Sequence, residues 1–130
     1  MTMNRKPVLP IGAPSNATAA PAIPLSSGMG AMYRAVCETV RAGDDLTQRQ
    51  LAVLMCLSLE PGPHTVRGLA AHLQVAKPVI TRAIDKLEDL QMASRKQDPC
   101  DRRSVLLSIL PRGVALMDKL RRDLAAVSAP

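Results

Sequence analysis

Leu69–Leu110, LAAHLQVAKPVITRAIDKLEDLQMASRKQDPCDRRSVLLSIL, is the stretch from which the fold of this 130-residue chain is read. Leu69, Ala70 and Leu73 recur at helical spacing within Arg67–Leu73, which predicts a short helix. Gln74-Val75-Ala76 forms a turn, and Pro78 suits the first residue of a second helix, where its missing N–H costs no hydrogen bond. Ile80, Ala83, Ile84 and Leu87 repeat with a period that places them on one inner face. By subtraction, Lys77, Pro78, Val79, Thr81, Arg82, Asp85 and Lys86 lie outside or on the flanks. After Gln91-Met92, Ala93–Gln97 and Ser104–Leu110 alternate as two strands joined by the basic loop Asp98–Arg103. Helix, turn, helix and basic hairpin in that order predict a winged helix-turn-helix, mainly α with a small β-hairpin wing.

The flanks extend the same unit. Upstream, Met29, Met32, Val36 and Val40 mark a short first helix stopped by Gly43-Asp44-Asp45, with Tyr33 and Cys37 beside the stripe. Thr47 stands where an N-cap belongs, and Leu51, Leu54, Met55 and Ser58 form the stripe of a second helix that Pro61-Gly62-Pro63 ends. His64-Thr65-Val66 is short enough for a minor strand that pairs with the hairpin. Downstream, Pro111-Arg112-Gly113 opens a last helix with Val114, Met117, Leu120 and Leu124 as its apolar stripe. Residues 29–127 thus form one domain, and residues 1–28, rich in Pro, Ala, Ser and Gly, read as a flexible tail that cannot offset its own ordering entropy.

Seventeen Lys and Arg against eleven Asp and Glu give a formal charge of +6, a balance that favours an anionic partner. Its distribution is more informative than its sum. Residues 31–66 carry −1, whereas residues 67–103 carry +3, with eight basic and five acidic side chains. The chain has no Phe, no Trp and a single Tyr, so the aromatic platforms on which single-stranded nucleic acids stack are missing and duplex DNA is the expected partner. Cys37, Cys56 and Cys100 form no CxxC and have no paired His, which points to a cytoplasmic protein without a metal site or disulfide framework, and duplex DNA as partner makes it nucleoid-associated. No run approaches the roughly 20 apolar residues of a membrane span. Neither a catalytic Ser/His/Asp or Cys/His pair nor a phosphate-cradling Gly loop appears, so no enzymatic activity and no cofactor are expected.

The chemistry of the second helix and the hairpin then follows from residue type. Lys77 and Arg82 are the strongest groups on the exposed face, Arg82 being suited to a bidentate contact with guanine and Lys77 acting as a point charge. Pro78 and Val79 offer apolar surface to thymine methyl groups, and these four form the predicted base-reading set. Thr81, Lys86, Arg95, Lys96 and Arg102 are assigned to the DNA backbone. Arg103 is assigned to the minor groove, with Asp101 orienting it. Cys100 lies among Lys96, Arg102 and Arg103, basic surroundings that favour a thiolate and make it a redox candidate without a resolving partner. The competing reading is a winged-helix protein-interaction module, in which exposed Pro78-Val79 and the terminal helices bind another protein.

LTQRQLAVL, LAAHLQVAKPVITRAIDKLEDLQM and DPCDRRSVLLSILPRG, together spanning about Leu46 to Leu116, resemble the second helix, the helix-turn-helix and the wing of the MarR family of bacterial transcription regulators. The resemblance implies a winged-helix homodimer on pseudo-palindromic sites. It also implies that helix 77–90 enters the major groove and that Arg103 on wing 98–103 enters the minor groove; the leading expectation is a transcription regulator that represses by occluding its site. Family members often respond to phenolic ligands or oxidants, so a small phenolic effector is a further implied partner.

Overall fold

The computed structural model describes residues 23–128. The tail expected over 1–28 lies mostly outside them. In chain order the elements are α1 (Gly28–Ala42), α2 (Gln48–Leu59), β1 (His64–Thr65), α3 (Val66–Leu73), α4 (Lys77–Asp89), β2 (Ala93–Asp98), β3 (Asp101–Ile109) and α5 (Pro111–Ser128). The helix ends have local causes. Thr47 closes a capping box with Gln50, each side chain bonding the other residue's backbone N–H. Thr65 Oγ1 accepts the Gly68 N–H at 2.9 Å and starts α3. Gly43, at φ 84°, turns left-handed after α1 and returns its N–H to that helix's last carbonyls. Gln74 makes the corresponding left-handed step between α3 and α4. Lys77, not Pro78, is the first residue of α4, and Pro78 follows in the first turn with no side-chain cap before it.

Helices α2, α3 and α4 enclose the core with the sheet. Leu54, Ile84, Leu87 and Met92 are fully buried, and Leu69, Ile80, Leu107 and Leu116 close the cluster. The four inner positions predicted for α4 are all buried. Elsewhere the stripes are rotated from those expected. In α2 the inner face is Val53, Leu54, Cys56 and Leu57, because this helix packs on α4, β3 and α5 together, while Met55 and Ser58 are exposed. In α5 the anchor is Leu116, and Val114 and Leu124 are exposed. The largest difference is in α1, whose inner face is Gly30, Ala31 and Ala35. Gly30 lies against the Leu25 backbone, and Ala31 and Ala35 are buried where α1 packs on α5, leaving Met32, Tyr33 and Val36 about half exposed, at 52%, 55% and 42%. The first helix is also longer than expected, with 15 residues.

Three antiparallel strands lie in the order β1-β3-β2, with His64 opposite Leu107 and Ala93 opposite Ile109. The short strand at His64-Thr65 therefore pairs as expected. The wing is tighter than the six-residue loop predicted, since Asp98 pairs with Asp101 and the turn is only Pro99-Cys100. Asp98 Oδ1 accepts the Cys100 N–H at 2.9 Å, which folds the tip, and the pairing shifts register at Gln97/Asp98. Arg102 and Arg103 thus belong to the strand β3 rather than to a loop.

Candidate nucleic-acid interface

The outer face of α4 and the hairpin β2–β3 carry the basic side chains that the sequence singles out. Lys77, Pro78, Arg82 and Lys86 are exposed along α4, and Lys96, Arg102 and Arg103 are exposed on the wing. Among the described residues, none of these cations enters an ion pair. Unpaired guanidinium and ammonium groups on a rigid helix and hairpin keep their hydrogen-bonding capacity for an outside acceptor. Thr81 is half-buried, and its hydroxyl donates back to the Lys77 carbonyl at 3.2 Å, so its first partner is its own helix.

Three placements differ from the sequence reading. Val79 is half-buried and lines a cleft of about 500 Å³ with Thr47, Arg49, Val75 and Ile80, so it is less available than Pro78 beside it. Asp101 acts on Arg103 through the backbone, its Oδ1 accepting the Arg103 N–H at 3.0 Å while Oδ2 accepts from Ser104 Oγ at 3.3 Å. It sets the strand on which Arg103 stands rather than gripping the guanidinium. Arg95, assigned to the DNA backbone, is instead engaged by α4. Its Nη2 donates to Asp85 Oδ1 and its Nε to Glu88 Oε1. These bonds to Glu88 and Asp85 raise its pKa still further above an already high value. The cause lies in the strand's period of two: Ala93 is buried against the core, and Arg95 points to the same side.

Other contributors carry little sequence signal. Arg112 donates to the Leu90 carbonyl at 3.0 Å and to Asp44 Oδ1 at 3.2 Å, tying the start of α5 to the end of α4 and to the α1–α2 loop. No periodicity links positions 68 residues apart. Gly113 in the first turn of α5 lies against the Met92 carbonyl, and a glycine inside a helical pattern is the one visible sign of such an approach. A second, apolar cleft of about 180 Å³ lies among α1, α2 and α5, lined by Met32, Val36, Met55, Leu116, Leu120 and Leu124.

The three cysteines are free. Burial and the nearby Glu60 carboxylate push the Cys56 thiol up, which keeps it protonated and inert, whereas Cys100 is exposed at the wing tip. His72 Nε2 lies 4.0 Å from Glu60 Oε1, and His64 Nε2 lies 3.1 Å from the Glu60 carbonyl oxygen. Among the described residues no cluster of three or more His, Cys, Asp or Glu is arranged to hold a metal ion, and no helix is long and apolar enough to cross a membrane.

The MarR family model matches residues 46–105. Among solved structures, a transcriptional regulator of Thermotoga maritima is 26% identical, with a TM-score of 0.65 over 75% of this chain and 67% of that one. A MarR family transcription regulator is 31% identical, with a TM-score of 0.60 over 75% of this chain and 63% of that one. MepR of S. aureus, in its complex with DNA, shares the fold at 19% identity and a TM-score of 0.67, over 77% of this chain and 81% of that one. No curated protein sequence matches. This chain spans about two thirds of the length of the first two structures. The matched span runs from the residue before the α2 cap to the middle of β3 and so contains the whole helix-turn-helix and the wing turn; in this span, and in its five helices and winged sheet, the chain is similar to the MarR family.

Proposed function

We propose that this chain is a sequence-specific duplex-DNA-binding transcription regulator that acts as a homodimeric repressor by occluding its site. The observation that carries the reading is the row of unpaired cations, Lys77, Arg82 and Lys86 on α4 with Lys96, Arg102 and Arg103 on the wing, presented by a winged helix. MepR, which has the same fold, is solved bound to DNA. In this reading α4 enters the major groove, where Arg82 reads a guanine and Pro78 meets a thymine methyl group, with Lys77 and Val79 beside them. Lys86, Lys96 and Arg102 hold phosphates, and Arg103 enters the minor groove from the wing.

A second copy of the chain is the natural cover for the exposed apolar residues of α1 and α5. Met29, Met32, Tyr33, Val36, Val40 and Leu124 together exceed the scattered apolar exposure of an ordinary monomer surface. The cleft beneath them, apolar and adjacent to the DNA-binding lobe, has the character to accept a small phenol, and a ligand there would alter how α1 and α5 sit on α2.

Binding to a duplex enriched from a randomised pool, measured over a range of salt concentrations with light scattering on the same sample, tests the reading. A dimer making about four to five phosphate contacts per protomer should show log K falling with log salt at a slope near −8. Absence of binding at low salt refutes DNA recognition, and a monomeric mass refutes the two-fold site.

A further inference from the structure

Arg95 is the one basic residue of the wing held by α4, and the partners that hold it are acidic residues of the helix proposed to read DNA. Asp85 and Glu88 stand three residues apart, on one side of α4, with side chains 57% and 34% exposed. Each of these two carboxylates has Arg95 as its ion-pair partner among the described residues, and Arg95 serves both through two different nitrogens. A carboxylate beside a DNA phosphate is repelled, and a carboxylate three residues after an arginine on a helix is placed to pair with it. Asp85 has that relation to Arg82. Arg82 has no ion-pair partner among the described residues, and Asp85 is occupied by Arg95. The register fixes this arrangement: Arg95 lies opposite the buried Leu107 in the sheet, on the side facing α4, while Lys96 next to it points to the other face.

We infer that Arg95 is an internal counter-ion of the recognition helix, a positioning residue that neutralises Asp85 and Glu88, keeps Asp85 off Arg82 and makes no phosphate contact of its own. The inference rests on the DNA-binding reading above and refines it. The wing thereby has two basic roles on its two faces. One is turned inward to hold α4 and free its arginine, and the other is turned outward with Lys96.

The test compares Arg95→Gln, Asp85→Asn and the double variant with wild type, on a duplex enriched by the wild-type protein from a randomised pool and on a scrambled duplex of the same length and composition. Thermal midpoints establish that each variant is folded. Arg95→Gln should lower the ratio of enriched to scrambled affinity about ten-fold, the scale of one lost bidentate base contact, because Asp85 captures Arg82. Its salt slope should stay at the wild-type value, since no phosphate contact is lost. Adding Asp85→Asn should restore the ratio, an outcome that loss of wing rigidity would not give. The inference is overturned if Arg95→Gln weakens both duplexes equally and the slope falls in magnitude by about 0.9 per protomer, the signature of a lost phosphate contact. It is also overturned if Asp85→Asn fails to restore the ratio. A wild-type protein that enriches no sequence refutes the parent reading independently of the variants.

Discussion

Replacing Gly113 by Ala sets two effects of opposite sign against each other. Alanine is the better helix former by about 1 kcal/mol in a helix interior, so from sequence alone the change should stabilise α5. In the structure the added Cβ would lie 2.4 Å from the Met92 carbonyl oxygen, 2.9 Å from Ile109 Cγ1 and 3.1 Å from Leu54 Cδ1. The first of these cannot be relieved by a side-chain rotation, because it involves backbone, and that carbonyl already accepts the Leu110 N–H at 2.8 Å. Leu54 is fully buried, and a close-packed interior gives it little room to move. Overpacking a filled site costs about 1–3 kcal/mol, and with one contact to backbone the upper part of that range applies. After the propensity gain, a net loss of about 2 kcal/mol is expected, which for a domain of this size lowers the melting temperature by roughly 8–16 °C. Parallel thermal melts followed by circular dichroism measure the difference. A Gly113→Ala midpoint equal to or above that of wild type would show that α5 is not seated on the Met92 carbonyl as described.

Four further outcomes are expected. Arg82→Ala should cost about 1–3 kcal/mol at a single base-pair position, whereas Lys96→Ala should weaken binding to all duplexes alike, and equal losses on cognate and scrambled DNA for both variants would exclude base reading by Arg82. Val36→Glu places a charge in the exposed apolar face of α1 and should shift the light-scattering mass toward the monomer and lower the thermal midpoint as the stabilisation by association is lost; an unchanged dimer mass would exclude this face from the interface. Gln91 holds φ at 58° between α4 and β2, so Gln91→Gly should raise stability by about 0.5–1 kcal/mol in urea titrations, and a loss would mean that the side chain has a role of its own there. Iodoacetamide at mildly alkaline pH should label Cys100 rapidly and Cys56 only after unfolding, because burial and Glu60 push the Cys56 thiol up; fast labelling of Cys56 would contradict its place in the core.

The helix-turn-helix was legible because its signals are local. The four inner residues of α4 are one helical stripe, the turn is marked by Gln74 and Pro78, and Thr47 caps α2 through a residue three positions away. The outer face of α4 follows from the inner face by geometry alone, so Lys77, Arg82 and Lys86 emerge without any knowledge of the fold. The period of two also held the information about Arg95: once Ala93 is taken as buried, Arg95 shares its side. Its partners in α4 could not be named, because the angle between strand and helix is a property of packing.

The terminal helices were misread for a different reason. In α1 the bulky residues form the more hydrophobic stripe, and hydrophobicity alone turns them inward. The structure turns Gly30, Ala31 and Ala35 inward instead, Gly30 against the Leu25 backbone and the two alanines where α1 packs on α5. By itself, the sequence determined the elements, their order and the basic face of α4 and the wing, all consequences of neighbours within a few residues. Only the tertiary structure decided which face of α1 meets α5, that Arg95 serves Asp85 and Glu88, and that Gly113 and Arg112 join α5 to the helix-turn-helix lobe, because these contacts join different elements and depend on how rigid elements approach one another.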